Sequence, residues 1–442
     1  MSDGAEHPRD QLRRELGATD TTMLVVSSVI GVGIFFTPGT IAGRLPDPSL
    51  FLLAWVVGGV LSLAGALANA ELGAMFPRAG GNYVYLRYAF HPAAGFLVGW
   101  LSFFAIYTGT VATLAVGFAD GLAVFVPLDA DGKIAIAIAA TLATSWVNYR
   151  GLKLGAAFNT WTAWAKIAAL GVFVVGGFAA TASPVAAGTA EVTDTPLALG
   201  FLLALSPILF SYLGWNAPVF VASEIHAPAR TLPRALFAGL AICTALYLVT
   251  NAVYLHAMPV ELLATQTSAG AAAAHALFGE VGGSLTSFLI LLSIFGCLHA
   301  TVLVGPRIAY AMSLDGLFFR GTDRVHAENG SPHIAIVIQA VASCVLIAVL
   351  QQFPNILDYT TFAIVLATIA DVCALYALRR SRPDQPRPYR AWGYPLVPAL
   401  YIVANAAVAG ALLFARPIEC AIALFTIAAG WPFYFLFKRR AA

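Results

Sequence analysis

Three ionisable residues, Lys166, His299 and Asp371, lie inside long apolar stretches of this sequence. A buried lysine can serve as a fixed cation, or it can lose its proton and regain it. His299 could likewise carry a proton or, as the alternative, be a neutral, hydrogen-bonded packing residue. Asp371 could carry a proton or point toward Arg379, two helical turns along the same face. The chemistry expected of these residues is the binding of ions or protons.

The main chain of "SSVIGVGIFFTPG", residues 27 to 39, offers a second kind of chemistry. A glycine inside a helix costs about 1 kcal/mol relative to alanine and a proline about 3 kcal/mol, so this stretch predicts a broken helix. A break leaves free N–H groups with partial positive charge and free carbonyls with partial negative charge. Such a pair of helix ends suits a zwitterion.

A similar interruption occurs in "LSPILFSYLGWNAPVF", residues 205 to 220, where Gly214 lies between Pro207 and Pro218. Irregular backbone at membrane depth is tolerated only where protein buries it or where it lines a watery cavity. Interrupted segments at corresponding places in two halves of a chain point to a binding site at the membrane midplane. The alternative is that these glycines only allow close helix packing.

The elements that hold these residues are predicted from composition. Hydrophobic residues make up 60% of the 442 residues and charged residues 10%, and the mean hydropathy is +0.81, values typical of an integral membrane protein. No cleavable signal peptide is expected, because the polar first 18 residues lead directly into a long apolar span. The five cysteines show no C-x-x-C pair and predict neither disulfides nor a metal site. The net charge of +2 does not suggest a nucleic-acid partner.

Apolar stretches long enough to cross a bilayer predict an all-α protein with twelve transmembrane helices. They lie at about 20–45, 50–76, 92–126, 133–149, 157–182, 197–223, 232–257, 282–313, 333–352, 356–378, 395–415 and 417–437.

The distribution of Lys and Arg predicts the orientation of these spans. With both termini in the cytoplasm, 20 of the 24 Lys and Arg residues fall on the inner side, as the positive-inside rule requires. Glu71 and Glu224 lie near the arginine-bearing inner loops, where they are expected to form ion pairs. The predicted location is the cytoplasmic (inner) membrane.

Several motifs along the chain resemble the amino acid–polyamine–organocation superfamily, and within it the bacterial permeases related to the L-type amino acid transporters. The motifs are "GVGIF" (31–35), "AELGAMFPRAGGNYVYLRYAF" (70–90), "FSYLGWN" (210–216), "RTLPRAL" (230–236), "GPRIAYAMSLDGLF" (305–318) and "RPDQPRPYRAWGYP" (382–395).

This resemblance implies the leucine-transporter fold, with five plus five inverted spans and with spans one and six broken. A cytoplasmic tail (1–18) would precede a ten-helix core (19–380), whose halves are about 19–182 and 197–380. Helices 11 and 12 and a short cytoplasmic tail would occupy 381–442.

The resemblance also implies a binding site for an amino acid. Its carboxylate would be held by the amides of Gly31, Val32 and Gly33. Its amine would be held by carbonyls of about Val29, Phe210 and Leu213, next to Gly214. Phe210 would also close over the substrate. Lys166 would take the position that a sodium ion has in sodium-coupled relatives. The other expected pocket or proton residues are Ser28, Tyr107, Asn216, His299 and Ala300.

The predicted function is secondary transport of an L-amino acid by alternating access across a lipid bilayer, independent of sodium and driven by exchange or by protons. The residues expected around the substrate side chain include no carboxylate, which favours small to medium neutral amino acids over a cationic amino acid or a polyamine. The alternative from another class is an amino acid sensor with a transporter-like fold. No enzyme, metal or cofactor motif is present in the sequence.

Overall fold

The computed structural model describes residues 9–123, 125–181, 196–350 and 353–441. The first eight residues of the predicted tail and most of the stretch between the predicted spans 157–182 and 197–223 therefore lie outside the described residues. Within the described residues the secondary structure is helical, apart from two isolated β-bridges that join Leu16 to Ile225 and Ala79 to Val221.

Eighteen α-helices follow one another along the described chain. In order they are α1 (Ala18–Val29), α2 (Gly33–Arg44), α3 (Pro48–Met75), α4 (Asn82–Ala89), α5 (Pro92–Leu101), α6 (Thr108–Leu122), α7 (Ala130–Tyr149), α8 (Leu152–Ala179), α9 (Leu197–Ser211), α10 (Ala217–Phe220), α11 (Pro228–Ala257), α12 (Val260–Leu263), α13 (Ala269–Val304), α14 (Pro306–Leu314), α15 (His333–Leu350), α16 (Phe353–Ser381), α17 (Leu396–Ala415) and α18 (Pro417–Ala441).

Among the described residues, eight helical segments are long and apolar enough to cross a membrane, and the bent pair α1 and α2 makes a ninth. At the other three predicted positions the helices are α7, α9 and α15, and the last two are shorter apolar helices. Large apolar side chains face outward on several helices, such as Phe414, Val281 and Val172, which are 90%, 83% and 75% exposed. Such surfaces are stable against lipid tails, so the chain is a multi-pass membrane protein.

Helices α1 and α2 are bent by 43° across residues 30–32. Gly33 begins α2 where the backbones of two helices approach closely, because a Cβ there would lie 2.6 Å from the Cα of Ser211. No larger residue fits this approach without moving one of the two helices.

A second interruption separates α9 from α10 at residues 212–216. Gly214 has a φ of +98°, and a Cβ on it would lie 2.6 Å from the Cβ of Ser28. Ser211 and Ser28 belong to the ends of α9 and α1, so each interruption packs against the other helix end.

Two further helices differ from the sequence prediction. Between α5 and α6, Ser102–Tyr107 form a π-helical segment, a local widening that often occurs at functional sites. Helix α13 begins at Ala269, inside the stretch expected to be an outer loop, and it contains Gly279 at φ 71°. Because Gly279 interrupts the helix, the part that follows it begins close to the predicted start of span eight at about 282.

Buried carboxylates join helix ends at the predicted inner side. Glu71 accepts hydrogen bonds from Arg379 Nε and Nη2 at 2.9 and 2.5 Å, and Arg387 lies 3.3 Å away. Glu224 accepts from Arg307 Nε and Nη2 at 2.8 and 3.1 Å. Both glutamates are fully buried. The ion pairs expected of these two glutamates are therefore present.

The segment before α1 is attached to the same end of the molecule. The amides of Glu15 and Leu16 both donate to the carbonyl of Glu224 at 2.9 Å, and the amide of His226 donates to Leu16 at 2.9 Å. The hydroxyl of Tyr310 on α14 donates to Asp10 at 2.9 Å. The tail thus bridges the exit of α10 and the helix that follows α13.

Candidate functional site

A cavity of about 30 Å³ lies where the two interruptions meet. It is lined by Ser28, Val29, Gly31, Val32, Gly33, Ile106, Tyr107, Thr110, Leu114, Phe210, Ser211, Leu213, Gly214, Ala217, Cys297, Thr301 and Val304. None of these side chains carries a formal charge at neutral pH. We call this space the central cavity.

Nine of the residues expected from the sequence line the central cavity. They are Ser28, Val29, Gly31, Val32, Gly33, Tyr107, Phe210, Leu213 and Gly214. Asn216, Ala300, Lys166 and His299 are not among the lining residues. The structure thus brings the two helix breaks and the π-helical segment together, and it places the lysine and the histidine behind them.

The backbone amides at the start of α2 face this site, and they differ in whether they already donate a hydrogen bond within the protein. An α-helix leaves its first N–H groups without an acceptor in the helix, and the cap residue Val32 supplies no side-chain hydrogen bond. The Gly31 amide, in contrast, donates to the Val29 carbonyl at 2.8 Å. In this conformation a bound anion would therefore meet Val32 and Gly33 more readily than Gly31.

Tyr247 on α11 holds carbonyls of both broken segments. Its hydroxyl lies 2.7 Å from the Val29 oxygen and 2.9 Å from the Ser211 oxygen. A phenol has one proton to donate, so the two carbonyls share it. The Val29 carbonyl, expected to bind an amine, is thus already engaged within the protein, as is Phe210, whose carbonyl accepts from Leu213 at 2.9 Å.

Polar side chains enter the central cavity from three helices. The hydroxyls of Ser28 on α1 and Thr110 on α6 are buried and have no hydrogen-bond partner among the described residues. Cys297 on α13 donates its thiol to the Ser28 carbonyl at 3.1 Å. Cys297 thus makes a polar contact with the end of α1.

Lys166 reaches the first break from α8. Its Nζ donates to the carbonyls of Ser27 at 2.9 Å and Ile30 at 2.6 Å, and the Ser293 hydroxyl also donates to Ile30 at 3.1 Å. The side chain is 4% exposed. It borders a second cavity of about 30 Å³, together with Phe35 and Tyr254. The ammonium therefore neutralises the carbonyl end of α1.

His299 occupies a closed hydrogen-bonded position between α7, α8 and α13. Its Nε2 donates to the Gly155 carbonyl at 3.0 Å, and its Nδ1 accepts from the Asn148 amide at 3.2 Å. The ring is fully buried and meets Phe158 edge to face at 4.8 Å. These contacts use both nitrogens of a neutral imidazole, as the packing interpretation requires.

Asp371 does not point to Arg379 as one interpretation of the sequence held. Arg379 pairs with Glu71, whereas neither carboxyl oxygen of Asp371 has a hydrogen-bond partner among the described residues. The residue is fully buried. That interpretation was wrong because Glu71 on α3 already forms the ion pair with the Arg379 guanidinium.

Sequence reasoning missed Tyr247, Thr110 and Cys297. One signal was available for Tyr247, because a tyrosine in the middle of an apolar span needs a partner for its hydroxyl. The sequence contains no comparable signal for Thr110 or Cys297, since both residue types are common in membrane helices.

Comparison with known proteins extends these observations to a family. A family model described as "Amino acid permease" matches residues 16–431. The serine/threonine exchanger SteT of Bacillus subtilis (strain 168) is 30% identical over 441 residues, covering 99% of this chain and 100% of that protein.

Two human proteins are similar along nearly the whole chain. The large neutral amino acids transporter small subunit 2 is 28% identical, covering 96% of this chain and 80% of its own length. The Asc-type amino acid transporter 1 is 26% identical, covering 97% and 83%. With a family model that spans most of its length and a Bacillus relative aligned from end to end, the chain belongs to the amino acid permease family of membrane transporters.

Proposed function

We propose that the protein is a secondary transporter of small to medium neutral L-amino acids, working by alternating access in the cytoplasmic membrane without sodium. Twelve spans with cytoplasmic termini and the leucine-transporter arrangement are part of this proposal. The observation that carries it is the meeting of two interrupted helices around an uncharged cavity, with Lys166 fixed behind the first interruption.

The helix ends at the central cavity support recognition of a zwitterion. The start of α2 presents amides at Val32 and Gly33, where the helix dipole favours a carboxylate. The end of α9 presents carbonyls near Ser211 and Leu213, where an ammonium is favoured. This division of partial charge fits the backbone of an amino acid rather than a simple ion.

The lining of the central cavity supports a neutral substrate side chain. A cationic amino acid or a polyamine would need a carboxylate near its second amine, and no acidic residue is among the lining residues. The unpartnered hydroxyls of Ser28 and Thr110 would pair with a small polar side chain. The name of the Bacillus relative, a serine/threonine exchanger, agrees with this chemistry.

The position of Lys166 supports sodium independence. Its ammonium occupies the carbonyls of Ser27 and Ile30, which are the type of ligand that a sodium ion would need. A fixed positive charge also repels a second cation at short range. Transport would then be driven by exchange or by protons.

The small size of the central cavity supports a mechanism in which the surrounding helices move during transport. A cavity of about 30 Å³ has room for only a few water molecules, so we infer that an amino acid enters when the surrounding helices separate. Binding that favours one arrangement of the helices shifts the population between states open to opposite sides.

Counterflow into proteoliposomes tests the proposal. Vesicles preloaded with L-serine should take up labelled L-serine in sodium-free buffer, and a sodium gradient should not increase the rate. Lys166→Ala should abolish uptake, whereas Lys153→Ala, which alters an exposed lysine on the same helix, should leave it unchanged. A requirement for sodium, or normal uptake by Lys166→Ala, would refute the assignment of Lys166.

A further inference from the structure

A cluster of buried polar side chains lies beside the central cavity, between α3, α4 and α16. Asp371, Asn69 and Tyr85 are each fully buried. The Asn69 amide interacts with the Asp371 carboxyl group, but the contact is too loose for a regular hydrogen bond. With that exception, the carboxyl oxygens of Asp371, the polar atoms of Asn69 and the hydroxyl of Tyr85 lack a hydrogen-bond partner among the described residues. Buried polar groups in proteins are nearly always paired. Three such groups from three helices without regular hydrogen bonds are therefore a candidate site for binding a proton.

The groups that face Asp371 from the neighbouring helices are uncharged. Asn69 approaches from α3, Tyr85 from α4, Tyr107 from the π-helical segment and Tyr401 from α17. Cys373 lies nearby on the same helix. Among the described residues no cation pairs with this carboxylate, because the guanidinium of Arg379, two turns along the same helix, is bound to Glu71. Such surroundings stabilise the protonated carboxyl group, and its ionised form needs water to reach it.

Tyr107 connects this cluster to the central cavity. It interacts electrostatically with Asp371 and also lines the cavity. It is the last residue of the π-helical segment Ser102–Tyr107. Tyr107 therefore belongs both to the surroundings of the carboxyl group and to the lining of the cavity.

We propose that Asp371 is the proton-binding site through which this transporter uses a proton gradient. A proton from water on one side binds a carboxylate oxygen of Asp371 to give the neutral acid. The same O–H bond breaks after the helices rearrange, and the proton leaves to water on the other side. Tyr107 couples the two sites, because it interacts with the carboxyl group and also lines the cavity that binds the amino acid. This inference depends on the proposed transport function and selects proton coupling over obligatory exchange.

Uptake of labelled L-serine with an imposed pH gradient tests the coupling. For one proton per substrate, a gradient of one pH unit can drive about tenfold accumulation. The wild-type chain should show this stimulation in addition to counterflow. Asp371→Asn should lose the stimulation and keep counterflow. His299→Gln, which alters a buried group with both ring nitrogens engaged, should keep both.

An infrared measurement gives a readout that does not depend on transport. The difference spectrum between wild type and Asp371→Asn should contain the carbonyl band of a protonated carboxyl group, and this band should weaken at alkaline pH. If Asp371→Asn does not fold, Asp371→Glu is the second test. It should keep the stimulation by a pH gradient but shift the pH at which that stimulation is half-maximal.

Three results would overturn the inference while leaving transport intact. They are counterflow in wild type without stimulation by a pH gradient, unchanged stimulation in Asp371→Asn, and the absence of a protonated carboxyl band that the substitution removes. A wild-type chain without any counterflow would instead overturn the transport function itself.

Discussion

The hydroxyl of Tyr247 lies 2.7 Å from the carbonyl oxygen of Val29, at the end of α1, and 2.9 Å from that of Ser211, at the end of α9. One side chain on α11 therefore fixes both helix ends at the central cavity without lining the cavity itself. The Val29 carbonyl also accepts from the Gly31 amide at 2.8 Å, whereas Tyr247 is the donor that orients the Ser211 carbonyl.

Tyr247→Phe should weaken binding of L-serine and lower the thermal stability in detergent. Leaving a buried carbonyl such as that of Ser211 unpaired costs about 1–3 kcal/mol, which corresponds to roughly 5- to 150-fold in the dissociation constant if the whole cost falls on the bound state. Tyr254→Phe is the matched control, because the Tyr254 hydroxyl on the same helix has no partner among the described residues. Equal affinities for the two variants would contradict the role of Tyr247.

Gly33→Ala and Gly214→Ala should each destabilise the protein. The added Cβ would lie 2.6 Å from Ser211 Cα in the first case and 2.6 Å from Ser28 Cβ in the second. Overpacking of this kind typically costs about 1–3 kcal/mol, and the positive φ of Gly214 adds strain.

Thermal unfolding in detergent measures both effects. Gly171→Ala is the control, since a Cβ at that position on α8 meets nothing within 4 Å. That variant should match or exceed the wild type, because alanine favours a helix by about 1 kcal/mol relative to glycine. Unchanged melting of Gly33→Ala would show that the two helix ends do not pack closely.

Thr110→Val should reduce the affinity for L-serine more than that for L-alanine. The buried hydroxyl of Thr110 lines the central cavity without a partner, and a hydrogen bond to a substrate hydroxyl is worth about 0.5–1.5 kcal/mol. Competition against labelled L-serine should therefore show a loss of affinity of roughly twofold to twelvefold for serine alone. Thr113→Val on the same helix removes a hydroxyl that is bound to Gly109 and should leave the serine-to-alanine ratio unchanged. A similar ratio in both variants would exclude Thr110 from substrate recognition.

Glu224→Gln should destabilise the protein strongly. The pair with Arg307 is buried, with side chains that are 0% and 2% exposed, and removing one partner of such a pair costs about 3–5 kcal/mol. Asp120→Asn breaks a half-exposed pair with Lys133 and should cost about 0–1 kcal/mol. Chemical denaturation of both variants checks the difference, and a loss of equal size would contradict the structural role of the buried pair.

The sequence predicted the class of the protein and the places of its interruptions for a physical reason. Glycine and proline are costly inside apolar helices, so Gly31, Gly33 and Gly214 indicated where the backbone departs from a helix. The structure shows in addition that Gly33 and Gly214 allow contact with a second segment. That contact joins residues far apart in sequence and leaves no local pattern.

Other features depended on tertiary packing and could not be predicted. The π-helical segment at Ser102–Tyr107 has no glycine or proline. The environment of Asp371 depends on which carboxylate forms an ion pair with Arg379. That carboxylate is Glu71, on a helix far away in sequence. The spacing of Asp371 and Arg379 along one helix could not reveal this competition.

The attachment of the tail at Leu16 and Glu224 makes the two faces of the molecule unequal. At that face, separating the helices would release the backbone bonds of the tail and uncover buried charges on Glu224 and Arg307. At the far end of α16, the pair of Asp358 with Arg416 is already accessible to solvent on the arginine side, which is 49% exposed. In the proposed alternating-access cycle, the unbound protein should consequently spend most of its time open to the face of Asp358. A thiol or amine reagent too polar to cross the bilayer should then reach the interior faster from that face.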